Sequence, residues 1–563
     1  MWLNNTERKQ SNLAVVLQGA NGGIAIPSHR LYPMLAVLLC LLLTSGCEET
    51  FTPDNGPSER ADERAEKPMV LTKQHFNFAP KVNVTRLEQT HLQAGVNHIK
   101  ATLDAGEPMF AWSVFSPPVT STAKRITLKE TLTSMGLSPR VNQYPVPGAT
   151  HKQYFVLAVE SFASQQEARA WLAQQPALEQ AGFKVSHSAY EPSDDHGKWV
   201  INILHIQPDK FTGNLISRLY NQTIHQAGTV LAIARSANAT AAINANFFVM
   251  HDKNGVVGDP SGLLIEHGKI LSEPLNQRPA MAIFNKQAQL KNAQISVRFF
   301  SPDTMPYLKG DGQSIMLTGI NRRPGIGRNC GLSSADSQQL AMHDHTCHAL
   351  NELILLTPEA GFLPPEESVS LVLTHNNTLQ PYTGQTLEQS QQLLVATGTY
   401  KARLNALKLN AAKIELVYPD WLQGLQNEHV VAIEGAPALL RNGEVVHNEL
   451  SEGWPWDKQT TTARKAFNHA WLTRRNPRTA IGETAAGDIL LITVDGRQPG
   501  YSAGMSINEM RRLMAGLGAV NAINLDGGGS TTMVVNDEVV EGRAQPLMIY
   551  AEKKGEPANA SAS

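Results

Sequence analysis

The chain has 563 residues, more than one compact core holds, so two or three domains are expected. Its apolar fraction of 42% and charged fraction of 17% are those of a globular protein. With 48 Lys and Arg against 50 Asp and Glu there is no basic surplus. That excludes a general nucleic-acid binder, which uses Lys and Arg to displace counterions from phosphates.

In chain order, the first feature is an apolar run from Met34 to Leu43, preceded by Arg30 and closed by Thr44-Ser45-Gly46-Cys47. The run is too short to span a bilayer and has the length of a secretory signal core. Small residues before a cysteine resemble a bacterial lipobox, although Leu43 stands one place further from the cysteine than that pattern has it. The resemblance implies a signal over residues 1–47, acylation of Cys47, and a lipoprotein anchored in the bacterial cell envelope, facing the periplasm or exterior. Glu48 to Pro68 is rich in Glu, Asp, Arg, Pro and Ser and has too little apolar surface to fold. A linker is expected over 48–90. Export also fixes the reading of the cysteines. Cys40 lies in the signal and Cys47 at the lipid site, which leaves Cys330 and Cys347 to pair as a disulfide in an oxidising compartment. The alternative is a metal site, since His343, His345 and His348 crowd around Cys347.

A small α+β unit is expected over 91–195. Met109 to Phe115 is strand-like, Ala123 to Met135 has helical spacing closed by Gly136, and Arg140 to Tyr144 is a second strand. The pattern repeats as strand Tyr154 to Glu160, helix Ser164 to Ala181 and strand Phe183 to Ser188. Ser164 with Glu167 makes a capping box. The order is βαββαβ. Its second half, Tyr-Phe-Val-Leu-Ala-Val-Glu-Ser-Phe followed by Ser-Gln-Gln-Glu-Ala and Ala-Gly-Phe, resembles the SPOR repeat. That likeness implies binding of peptidoglycan glycan strands; the alternative is a purely structural insert.

From Lys198 short alternating strands dominate, among them Val200 to Ile206, Ile243 to Val249, Leu353 to Leu356, Ser368 to Leu373, Val430 to Ile433, Ile489 to Val494 and Thr532 to Val535. Asn508 to Leu517 is the clearest helix, read as capped by Asn508 and stopped by Gly518. Residues 196–552 are expected to form one β-rich α+β domain, with a disordered tail over 553–563.

Four blocks in this domain carry chemistry. In the first, strand Val520 to Ile523 delivers Asn524 and Asp526 to its end, followed by Gly527, Gly528, Gly529, Ser530, Thr531 and Thr532. Glycines let backbone N–H groups converge on an anion, and the hydroxyls add donors, so this loop suits a phosphate or a developing oxyanion. The second block is Val494-Asp495-Gly496-Arg497, again a carboxylate at a strand end. The third is Arg478-Thr479-Ala480-Ile481-Gly482. Arg478 and Arg497 offer planar donor forks for phosphate oxygens. The fourth, Asn244-Ala245-Asn246-Phe247-Phe248, places two amides where they would orient sugar hydroxyls, with the Phe pair in the core.

Together with Glu434-Gly435-Ala436-Pro437-Ala438-Leu439-Leu440, these blocks resemble the phosphodiester glycosidase family over roughly Lys198 to Ala551. Asn246 stands where many members have glycine, and Glu434 to Pro437 replaces a more glycine-rich stretch. The likeness allows for an insert near the start of the domain, in which case Gly95 to Lys100 is an early strand of the catalytic fold. It implies a hydrolase that cuts a glycosyl phosphodiester in a sugar-phosphate polymer or glycoconjugate. Such a bond has a good leaving group, so the enzyme must bind the phosphate and stabilise charge on the sugar. Arg478, Arg497 and the glycine loop suit the first task; Asp495 or Asp526 serves as nucleophile or general base. A divalent cation, calcium or magnesium, held by an aspartate is the alternative, since hard cations prefer oxygen ligands. Two other functions stay open: a non-catalytic envelope-glycan-binding lipoprotein, and a metal-dependent phosphodiesterase that breaks P–O.

Overall fold

The computed structural model describes residues 10–11, 13–18, 71–108, 111–275, 278–285, 295–330, 342–411 and 413–540. Its centre is an eight-stranded antiparallel sheet, in the order Glu444–Val445, Ala438–Arg441, Ala519–Asn524, Arg478–Thr484, Ile489–Val494, Lys198–Ile206, Val96–Asp104, Asn83–Gln93. The middle strands are apolar on both sides because both faces of the sheet are covered. Ile201, Ile203, Leu490, Ile492, Ala480 and Ala522 enter one core. Their alternates Leu204, Ile206, Leu491, Ile481 and Ile523 enter the other. The first core is closed by the helix Ile507–Gly516, which inserts Ile507, Met510, Leu513 and Met514. That helix is capped by Ser506, whose hydroxyl accepts from Glu509 N while Glu509 returns a bond to Ser506 N. Asn508, expected as the cap, lies inside the first turn, and Gly518 follows the helix with φ +78°.

The second core is closed by two five-stranded sheets. One holds Leu264–Glu266, Val430–Glu434 and Ala280–Phe284, and the other Asn214–Leu219, Leu13–Gln18, Ala241–Asn244 and Met533–Val535. The strand Leu13–Gln18 differs from the expected leader over 1–47. It lies between Asn214–Leu219 and Ala241–Asn244, antiparallel to both. Leu13, Ala14, Val15, Val16 and Leu17 are all fully buried. A short apolar run fills a slot whose neighbours would otherwise carry unpaired backbone groups. A chain cut before Cys47 would lose this strand. Cys47, the apolar run before it and the tether Glu48 to Pro68 lie outside the described residues, as does the expected tail. Among the described residues no helix is long and apolar enough to cross a membrane.

The expected linker and unit boundaries also shift. Phe76 and Phe78 are buried in the first core, and Asn83–Gln93 and Val96–Asp104 form a hairpin of the eight-stranded sheet. The boundary expected at residue 91 therefore falls inside that hairpin, while the early strand expected at Gly95 to Lys100 is present. Asp104 pairs with Lys198, so residues 105–197 leave and rejoin the sheet at adjacent positions. This inserted unit runs Trp112–Phe115, Thr122–Ser134, Arg140–Val146, Ala149–Phe162, Gln165–Ala173, Pro176–Gln180 and Lys184–His187. The second expected helix is divided at Pro176, which lacks the N–H needed to continue a helix. The molecule is β-rich with few helices, as expected.

A third hydrophobic core lies between the sheet containing Val430–Glu434 and the one containing Leu353–Leu356, Gln392–Ala396 and Val369–Leu373. Cys330 and Cys347 form the expected disulfide across the short ribbon Ile326–Arg328 and Thr346–His348.

Candidate active site

The strand Ala519–Asn524 pairs with Arg478–Thr484, and the chain turns at its end through Leu525 and Asp526. Two backbone bonds hold that turn, Leu525 N to Thr479 O and Asp526 N to Ala245 O, both 2.9 Å. The glycines then allow close approach. A Cβ on Gly527 would meet the Pro477 carbonyl oxygen at 2.8 Å. Gly528 has φ +61°, and a Cβ there would stand 3.0 Å from Arg497 Nη2. Gly529 has nothing within 4 Å of where a Cβ would be and faces open space.

Asp526 is half-buried at the cavity wall, and desolvation there lifts its carboxyl to about 7, against the opposing bonds from the Ser530 hydroxyl and the Gly527 N–H. Arg497 lies over the glycine loop. It donates from Nη2 to Asn476 Oδ1 at 3.1 Å, and its buried Nε has no partner among the described residues. Burial pulls its pKa down to about 10, so it remains charged at neutral pH. Arg478 donates from Nε to Met505 O at 2.8 Å and from Nη2 to the Trp471 and Arg474 carbonyls. Burial and then the charge of Arg497 lower it to about 9. Neither arginine makes an ion pair among the described residues. One buried and one half-buried guanidinium, answered only by amide and carbonyl oxygens, are short of negative charge, which a substrate phosphate supplies.

These groups share one cavity of about 1020 Å³, bounded on the catalytic side by Asp526, Gly527 to Gly529, Ser530, Arg478 and Arg497. Of the expected site residues, the others stand behind it. Asn244 is fully buried: Nδ2 donates to Asp526 O at 2.7 Å, and Oδ1 accepts from Thr479 Oγ1 at 2.7 Å and Thr532 N at 3.0 Å. It fixes the turn and does not line the cavity. Thr479 is spent on that bond. Asn246 donates to Leu263 O and Asn524 to Ala436 O and Leu525 O. Thr531 is buried beneath the loop. The expectation that Asn244 and Asn246 orient sugar hydroxyls is therefore corrected: fully buried amides at strand ends satisfy backbone groups first.

Asp495 also lies outside the cavity lining. It is 2% exposed, its Oδ2 accepts from Tyr501 Oη at 2.9 Å, and its backbone oxygen accepts from Ser502 Oγ at 2.6 Å. Those bonds shape the turn that presents Arg497. Of the two expected carboxylates, the structure brings only Asp526 to the open space.

The sequence reading missed residues upstream of Arg478. Asn476, Arg474 and Trp471 line the cavity, on a stretch that includes the π-helical turn His469–Thr473. Arg478 lies over the Trp471 ring at 4.9 Å. The run Arg474-Arg475-Asn476-Pro477-Arg478 is the available signal, since three arginines in five residues exceed what a surface turn needs. Two of them are structural. Arg475 pairs with Glu509 at 2.8 Å, and Arg474 pairs with Glu191 at 3.0 Å. His343, one of the histidines read as a metal alternative, is buried against Trp454 at 4.6 Å between ring centroids, with Arg278 donating to its Nδ1 at 3.1 Å. Among the described residues no three His, Cys, Asp or Glu side chains converge as a metal site. Around Asp526 the donors are one carboxylate and one hydroxyl beside two guanidinium charges, a set that does not fit a resident calcium or magnesium ion.

Residues 364–554 match the phosphodiester glycosidase family profile, which covers the Asp495 and Asp526 blocks and begins downstream of Asn244. Bovine N-acetylglucosamine-1-phosphodiester alpha-N-acetylglucosaminidase is 34% identical over 111 residues, 20% of this chain and 20% of that protein. The chain thus spans about a fifth of the length of the curated relatives it matches. The SPbeta prophage-derived uncharacterized protein YomE of Bacillus subtilis is 36% identical over 87 residues, 15% of this chain and 13% of its own. A solved Burkholderia pseudomallei protein, whose name calls it exported, shares the fold with TM-score 0.69 and 23% identity, covering 84% of this chain and 96% of that one. The likeness of this chain to the phosphodiester glycosidase family thus lies in its C-terminal segment.

Proposed function

We propose that this chain is an exported hydrolase that cleaves the glycosyl phosphodiester of a sugar-phosphate polymer in the cell envelope or outside the cell. The observation that carries the reading is one cavity in which the Asp526 carboxyl and the Arg497 guanidinium, which makes no ion pair among the described residues, flank the Gly527 to Gly529 loop. The phosphate sits against Arg497, Arg478 and the loop. Its departure needs little protonation, because a phosphate monoester is a stable leaving group held by two guanidinium charges. The group required at the sugar is then a base or nucleophile, and Asp526 supplies it in its ionised form. The C1–O bond breaks, its electron pair leaves with the phosphate oxygen, and water delivers OH to C1 and its remaining proton to the carboxylate. Export rests on the signal-like run, kept uncleaved so that Leu13–Gln18 holds its place in the sheet, and a glycan-binding role for the inserted unit rests on its SPOR-like sequence.

The test is hydrolysis of N-acetylglucosamine-1-phospho-methyl-mannoside by the full chain in oxygen-18 water. Release of N-acetylglucosamine with no label in the phosphomonoester supports C–O cleavage. Label in the phosphate would transfer the protein to the phosphodiesterase class, and no release of either product would leave a glycan-binding protein.

A further inference from the structure

We propose that the inserted unit forms the polymer-binding wall of the catalytic cavity, and that an anionic glycan segment runs from the glycine loop to the unit's edge strand Lys184–His187. This rests on the hydrolase reading for the sugar-phosphate class of the ligand, though not for the existence of the wall.

The sheet of the inserted unit has the order Arg140–Val146, Ala149–Phe162, Trp112–Phe115, Lys184–His187, which leaves Lys184–His187 on an edge. Neither face of this sheet is open to a ligand. On one, Val114, Leu157 and Val159 pack with Leu132 and Leu172 of the unit's helices. On the other, Tyr144, Tyr154 and Val156 pack against Trp456 of the catalytic domain, with Tyr154 and Trp456 ring centroids 4.6 Å apart. A glycan can therefore reach the unit only at its edge and end loops. Those are the parts that share the catalytic cavity: Lys184 and Ser186 on the edge strand, Pro117 and Pro118 after Phe115, and Gly182 at the helix end.

The wall is rigidly tied to the catalytic side. Arg474 Nη2 donates to Ser186 Oγ and its Nε pairs with Glu191, while its carbonyl accepts from Arg478. Tyr154 Oη bonds His469 Nδ1 at 2.9 Å from across the junction. Any tilt of the unit would break these bonds, so the edge strand is held at a fixed distance from Asp526.

Charge identifies the occupant. The cavity acids Glu191 and Asp344 are each paired, with Arg474 and Arg328. Lys184 is exposed and has no partner among the described residues, and Arg497 and Arg478 make no ion pair. Cations at both walls, with only Asp526 as an unpaired acid between them, complement a ligand that bears more than one negative charge. Phe247, Tyr190 and Trp471 add apolar lining between the walls. A volume of about 1020 Å³ is at the upper end for pockets that hold drug-sized ligands, which suits several sugar units.

Full-length Asp526→Asn, which binds without turnover, would be titrated with N-acetylglucosamine-1-phosphate oligomers of one to four repeats, read by tryptophan fluorescence. The expected result is at least tenfold tighter binding of the longer oligomers, lost in an added Lys184→Glu change that leaves the one-repeat affinity within about twofold. Equal affinity at all lengths, absence of binding at any length, or an equal effect of Lys184→Glu on short and long oligomers overturns the proposal. Wild-type hydrolysis of the single diester is measured in parallel. Hydrolysis without length-dependent binding removes only the wall, whereas length-dependent, Lys184-dependent binding without hydrolysis removes only the reaction.

Discussion

Two strand ends in this protein carry the same local sequence and have opposite fates. Ile489–Val494 ends in Asp495-Gly496-Arg497, and Ala519–Asn524 ends, one residue on, in Asp526-Gly527-Gly528. Both aspartates stand at the same end of one sheet, Asp495 buried and Asp526 half-buried. Asp495 meets the Tyr501 hydroxyl and becomes part of the turn. Asp526 meets no cation in an ion pair, opens onto the cavity and is held partly protonated near neutral pH. Position in a motif brings a carboxylate to the site, and its hydrogen-bond partners decide whether it is a brace or a reagent.

The sharpest way to break that comparison is to exchange the carboxylates one at a time. Asp526→Asn should lower kcat by about 10²–10⁴-fold with the fold intact by circular dichroism, the loss typical of a missing acid–base group. Asp495→Asn should leave kcat within about threefold, and equal losses in both variants would end the distinction. The pH profile sharpens it further. Because Asp526 acts ionised and titrates at about 7, kcat should rise with pH through about 7. Its folded pKa is raised above the unfolded value, so the folded state binds the extra proton between about 4 and 7. Its contribution to stability is therefore fully present at low pH and declines as pH rises through that window. Asp526→Asn should flatten that decline, measured as urea midpoint against pH.

Arg497→Ala should raise KM for the diester by about 10–100-fold, the cost of a charged hydrogen bond to phosphate, with a smaller change in melting temperature. A change in stability alone would make Arg497 a brace like its neighbour Asp495. Asn244→Ala removes three bonds beneath the Asp526 turn and should cost about 1–3 kcal/mol in urea unfolding, while kcat falls through misplacement of the loop. The smallest effect belongs to Tyr501→Phe, about 0.5–1.5 kcal/mol of stability at unchanged kcat.

Local sequence determined much of this protein. The strand ends, the triple glycine, Arg478 and Arg497 as candidate phosphate ligands, the βαββαβ order and the cysteine pair were all legible, because each depends on periodicity, turn chemistry or residue type within a few positions. The tertiary structure decided the rest. It turned Asn244, Thr479 and Asn524 inward, because buried backbone groups at converging strand ends must be satisfied before any ligand is met. It assigned Asp495 to Tyr501 and Asp526 to the cavity, a difference of partners and not of motif. It drew Leu13–Gln18, which falls within the leader expected over 1–47, into the middle of a sheet where the distant strands Asn214–Leu219 and Ala241–Asn244 needed a neighbour. It also set the inserted unit against the catalytic cavity through contacts such as Tyr154 with His469, between residues 315 positions apart. Pairings of that separation leave no period or spacing in the sequence, since they are fixed only when the whole chain has packed.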